Sequence, residues 1–200
     1  MSHLTDIIGL TGIVSAAAAL LLLSPWVSKF TKPRLSLLLG AVVVLMFIPF
    51  EGMPFAAYLR GVTGDLSITT LVLVWNALLR PWRGETKCHN HFLLLILITL
   101  AALALYPMAL GVGAYDPYRM GYGDPQFVIA LLLLALAAWF FKSALISLCI
   151  AFATLAWAVG WYESNNLWDY LLDPFLSIYA LTVTITCGMK KLLKQQNHPC

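Results

Sequence analysis

The chain has 200 residues, of which 61% are hydrophobic and 10% charged, with a formal net charge of +3. Its mean hydropathy is +0.85. A soluble domain carries about 25% charged residues and about 45–50% apolar ones, so this composition excludes a soluble fold and points to lipid as the solvent. The one lysine cluster (Lys190, Lys191, Lys194) follows directly on an apolar stretch. That placement suits a cytoplasmic anchor and speaks against a nucleic-acid partner.

In chain order, apolar stretches cover residues 7–27, 35–50, 66–79, 92–111, 127–141, 144–161 and 174–189. The first is expected to be a retained helix, not a cleaved signal peptide: no Lys or Arg precedes it and Asp6 is acidic. No lipidation motif marks either end. Residues 127–161 are apolar except for Lys142 and too long for one span, so a tight turn is expected at Phe141, Lys142 and Ser143. Residues 66–79 form the shortest stretch, and Arg80 can lengthen it by snorkelling to the head groups. Pro107 is expected to kink the fourth span near its outer end.

The connections sort by charge. One side holds Lys29, Lys32, Arg34, Arg80, Arg83, Lys87, Lys142, Lys190, Lys191 and Lys194, ten of the twelve basic residues, with Glu85 as its one acid. The other side holds Arg60 and Arg119 with the remaining eight of nine acids. The positive-inside rule puts the basic side in the cytoplasm. The expected fold is therefore all-α: a single polytopic domain over residues 1–200, about seven transmembrane helices, N-terminus outside and C-terminus cytoplasmic, in a bacterial inner membrane.

The spans carry no ionisable group apart from Lys142 at its turn, which argues against a proton pump or charge-relay transporter. Thr182, Thr184 and Thr186 can bond their own helix carbonyls. Gly12 with Ala16, and Ala156 with Gly160, are small pairs that let helices approach closely.

The most unusual segment is the outer loop with Tyr115, Asp116, Pro117, Tyr118, Arg119, Tyr122, Asp124 and Pro125. Two readings compete. In one, the loop joins Arg60 and Asp65 of the preceding outer connection in a binding surface: Arg119 grips a phosphate or carboxylate, while the tyrosines and aspartates stack or act as acid and base. In the other, it is an interfacial turn with belt tyrosines, and Arg119 pairs with Asp116 or Asp124. The candidate binding residues are Arg60, Asp65, Tyr115, Asp116, Tyr118, Arg119 and Asp124. Pro54 to Arg60 reads as a short interfacial helix. In the last outer segment Asp169 and Asp173 stand four apart, which would put both carboxylates on one helix face. A divalent cation there would lack the six or more oxygens it needs.

On the cytoplasmic side Cys88, His89, His91, His198 and Cys200 are zinc ligands by type, but their spacing fits no closed Cys/His pattern. No metal, cofactor or catalytic residue is expected. Walker, HExxH, CxxC and GxSxG motifs are absent, and His3 is the one histidine outside. The expected function is that of a partner or assembly subunit of the cell envelope, or a small solute- or lipid-handling protein. Its partners would be the bilayer and other membrane subunits. The alternative is a membrane enzyme acting at the outer face on a lipid-linked or phosphate-bearing substrate.

A reporter active only outside the cytoplasm, fused after Asp65, Gln126 or Asp173, is expected to be active. Fused after Glu85 or Met189, it is expected to be silent. Activity after Glu85 would overturn the orientation.

Overall fold

A computed structural model describes residues 2–22, 24, 26, 27, 30–83 and 91–196, the side chains of 2–6 and 191–196 excepted. The described residues form nine α-helices: α1 (Ser2–Leu22), α2 (Lys32–Phe47), α3 (Phe55–Thr63), α4 (Ile68–Arg83), α5 (Phe92–Ala109), α6 (Pro125–Phe140), α7 (Ala144–Ala158), α8 (Leu167–Leu171) and α9 (Pro174–Gln196). The class is all-α. Helices α1, α2, α4, α5, α6, α7 and α9 occupy the seven apolar stretches, and each is 15 residues or longer.

Local chemistry sets the helix ends. Asp124 caps α6 through Gln126 N (2.8 Å) and Phe127 N (3.2 Å), and Pro125 opens the helix where a missing N–H costs nothing. Lys142 adopts φ 57°, a left-handed turn residue that reverses the chain between α6 and α7. The tight turn expected at residues 141–143 is therefore present. A two-residue hairpin, β1 (Pro49–Phe50) with β2 (Met53–Pro54), pairs Pro49 with Pro54 and Phe50 with Met53. Its turn residues Glu51 (φ 48°) and Gly52 (φ 89°) both take positive φ, as a primed turn requires. The hairpin leads into α3, the short helix expected around Pro54 to Arg60, and the Tyr58 hydroxyl ties the two by donating to the Phe50 carbonyl at 2.9 Å.

Helix α7 is central. Ile146, Cys149, Ile150, Ala153 and Ala156 form a buried stripe at helical spacing. It packs against α6 and α4, α4 packs against α1, and α5 runs along α9. Gly12 of α1 lies so close to α4 that an added Cβ would sit 3.3 Å from a Leu71 methyl. The second small pair does not work that way: Ala156 is buried, but Gly160 lies beyond the end of α7 with nothing near it.

The outward surface is apolar. Helix α6 buries Phe127 and Ala138 yet exposes Ile129, Leu132, Leu133, Leu134 and Leu136. Helix α2 buries Leu35 and exposes Leu37, Val43, Val44, Leu45 and Phe47. By length and composition, one helix among the described residues is able to cross a membrane, Phe92–Ala109, at 18 residues and hydropathy 2.4. Ile7–Leu22, Pro125–Phe140 and Ala144–Ala158 are apolar but shorter. Caps and turns bound α6 and α7 at 16 and 15 residues; sixteen residues reach about 24 Å, against about 30 Å of hydrocarbon.

One carboxylate joins two helices. Asp173, 4% exposed, is the residue before α9, and its Oδ1 accepts from Leu176 N at 2.8 Å. Its Oδ2 accepts from Ser67 N (3.1 Å), from the Ser67 hydroxyl (2.7 Å) and from the Thr70 hydroxyl at the start of α4. Asp173 thus caps two helix N-termini at once, where both dipoles favour a negative charge. This placement corrects the expectation that Asp169 and Asp173 share a helix face. Helix α8 stops at Leu171 and Leu172 is extended (φ −133°, ψ 142°), so the two carboxylates belong to different elements. Asp173→Ala would leave two buried backbone N–H groups without acceptors and is expected to cost about 3 kcal/mol. Thermal unfolding in detergent should show a clearly lowered midpoint, with a smaller drop for Asp173→Asn.

Candidate functional site

The connections holding the candidate residues meet at one end of the helices, and each uses its polar groups differently. At the end of α3, Arg60 clasps Asp65 through Nε (2.6 Å to Oδ1) and Nη2 (3.0 Å to Oδ2). Gly64, at φ 71°, turns the chain back to make this possible. The pair lies on Gly9 of α1, where a Cβ would come within 2.3 Å of both Arg60 Nε and Asp65 Oδ1. These two candidates therefore neutralise each other, half-buried.

The loop candidates divide. Asp116 accepts from Tyr118 N at 3.0 Å and caps a 3-10 turn over Pro117–Gly121, and Asp124 caps α6. Tyr115 donates its hydroxyl to Met120 Sδ at 2.9 Å. Arg119 is exposed and forms no ion pair among the described residues, so the pairing with Asp116 or Asp124 that the interfacial-turn reading implies is not seen. Both carboxylates are taken up by backbone N–H groups instead.

Tyr118 alone of the seven points the way to a site. Its hydroxyl donates to Asp169, 3.1 Å from both carboxylate oxygens, and the Ser164 hydroxyl donates to the same carboxylate. The 115–124 loop is docked on α8 by three further contacts. Asn166, fully buried, donates Nδ2–H to the Tyr118 carbonyl at 2.9 Å, and Trp168 donates Nε1–H to the Pro117 carbonyl at 3.0 Å. Gly121 is pressed against Asn166, where a Cβ would overlap Oδ1 at 1.7 Å. Beneath, Tyr162 and Tyr170 stack at 5.1 Å, and the Tyr162 hydroxyl donates to the Leu66 carbonyl at 2.8 Å. Burial raises the Tyr118 phenol well above its ordinary value, and the negative charge and hydrogen bond of Asp169 raise it further. Burial likewise raises Tyr162, with Asp65 adding to it. Both phenols therefore stay protonated and serve as hydrogen-bond donors.

Leu105, Tyr106, Ala109, Tyr118, Trp168, Asp169 and Leu172 line a cavity of about 220 Å³. A second, almost wholly apolar groove of about 350 Å³ runs between α5 and α9, past Ala102, Leu103, Pro107, Ile178 and Leu181. Tyr106 is a wall of both. Pro107 lies inside α5 beside the groove, and its missing N–H removes the helical donor for the Leu103 carbonyl. Sequence reasoning missed Tyr106, whose signal was a single phenol beside a proline in an otherwise apolar stretch.

At the opposite end, Arg83 donates to the Asn76 carbonyl (2.9 Å) and to its side-chain oxygen. Asn76 Nδ2 and Arg80 Nη2 lie 3.3 and 3.4 Å from His91 Nε2. Both neighbours are donors, so Nε2 acts as the acceptor. Cys88, His89, His198 and Cys200 lie outside the described residues; among the described ones no three His, Cys, Asp or Glu gather to hold a metal. No family model matches the sequence, and no curated protein or solved structure is detectably similar to it.

Gly121→Ala is expected to lift the loop from Asn166 at a cost of about 1–3 kcal/mol. Trypsin cleavage after the exposed Arg119 should then be clearly faster than in the wild type. An unchanged rate would mean that the loop does not depend on this contact.

Proposed function

We propose that the chain is a multi-pass protein of the bacterial inner membrane, with seven spans, its N-terminus outside and its C-terminus in the cytoplasm, and that it handles a lipid at its outer end. The apolar outward faces of α2 and α6 suit hydrocarbon far better than water. Short spans are tolerated where the bilayer thins and flanking side chains reach the head groups. Trp139 and Phe140 at the end of α6, and Trp161 after α7, are exposed at such depths.

The observation that carries the lipid reading is the shared wall at Tyr106. An apolar groove between two helices, open along its side, adjoins a smaller cavity that holds a carboxylate and three aromatic side chains. That sequence of environments matches an acyl chain joined to a polar head. Asp116 and Asp124 are engaged as caps and Asp65 with Arg60, so these carboxylates suit a structural role better than acid–base chemistry. A lipid-binding subunit fits this geometry better than an enzyme.

Native mass spectrometry of protein extracted in mild detergent is expected to show a retained lipid. Ile178→Trp, which fills the groove from α9, should remove at least about nine-tenths of it with abundance unchanged, a tenfold loss matching about 1.4 kcal/mol. Wild-type protein that carries no lipid would refute the reading.

A further inference from the structure

We infer that the head group held at this site is a primary ammonium, so that the ligand is an amine-headed diacyl lipid; this rests on the lipid reading above. The argument starts from Asp169. Its carboxylate accepts from the Tyr118 and Ser164 hydroxyls, and no Lys, Arg or His among the described residues forms an ion pair with it. A carboxylate has about four acceptor positions, so capacity remains for a donor from the cavity. A half-buried carboxylate without a counter-ion favours a cation beside it.

The walls decide which cation. Tyr106, Tyr118 and Trp168 line the cavity with Asp169, and Leu105, Ala109 and Leu172 complete it. A hard metal ion needs six or more oxygens, and this lining offers one carboxylate and two phenols. An organic ammonium needs one carboxylate and aromatic surface, which attracts cations electrostatically. The space of about 220 Å³ equals roughly seven water volumes, enough for an aminoethyl group. An anionic head would face Asp169 with no cation paired to it. The groove that shares Tyr106 then takes the chain. A primary amine is favoured over a quaternary one because its N–H groups can donate to the open acceptor positions of Asp169.

The test titrates delipidated protein in detergent with phosphatidylethanolamine or phosphatidylglycerol of identical chains, read by native mass spectrometry. The wild type should bind the ethanolamine lipid roughly tenfold more tightly, a modest preference for one charge pair with aromatic contact. Asp169→Asn should bring the two lipids level while still binding both. Ala109→Phe, which fills the cavity without touching the Asp169 hydrogen bonds, should also level them and carries the test if Asp169→Asn fails to fold. Equal binding of both lipids by the wild type would overturn the amine inference and leave the lipid reading standing. A preference that persists in well-folded Asp169→Asn would also overturn it. Binding of neither lipid by the wild type would instead overturn the lipid reading.

Discussion

Asp173 holds one end of the helix bundle together. Two helix N-termini that are distant in sequence both need acceptors for their first N–H groups, and one carboxylate supplies them. The arrangement resembles a capping box in which the returning acid comes from another helix. Ser67 accepts from Thr70 N at 3.2 Å, while its own N–H donates to Asp173. Because the carboxylate is buried, the beginning of α9 cannot shift relative to that of α4 without breaking three hydrogen bonds. Everything between Tyr162 and Pro174 is therefore hung from a fixed point.

That fixed point explains why the segment can present Asp169. Tyr162 reaches the Leu66 carbonyl one residue before Ser67, and Tyr170 receives Tyr162 N–H at 3.0 Å, so the loop is stitched to itself and to α4. Asn166 and Trp168 then carry the 115–124 loop. The result is a layered order, with buried caps below, stacked phenols between, and the Tyr118–Asp169 contact above the cavity. The exposed polar groups at this end are thus the last links of a chain whose first link is buried.

Much of the fold was legible because helices leave local marks. Seven apolar runs and a lone lysine in a 35-residue apolar stretch each identify an element or its end. The relation of Asp169 to Asp173 was not legible. Spacing of four implies one face only if the helix continues, and Pro174 with the extended Leu172 ended it. The alternative in which Arg119 pairs with Asp116 or Asp124 is not seen, for a related reason. Charge counting pairs it with the nearest acids, but backbone N–H groups at the start of a 3-10 turn and of α6 claim those acids first. Tyr118 and Asp169 are 51 positions apart, and no periodicity reports which loops face each other. An apolar run states how far a chain can stay in hydrocarbon, while caps decide how far the helix extends.

The contact between Gly121 and Asn166 constrains how this sequence can drift. A methyl at position 121 and the present side chain at position 166 would occupy the same space. Any larger residue at 121 must therefore be preceded by a smaller one at 166. That earlier step removes the Nδ2 donor to Tyr118 and the Oδ1 acceptor of Trp168 N. Both orders of change pass through a damaged intermediate, so the two positions are bound to one another as a pair, and their joint substitution should deviate strongly from additivity. Among related chains the two would be expected to change together or not at all.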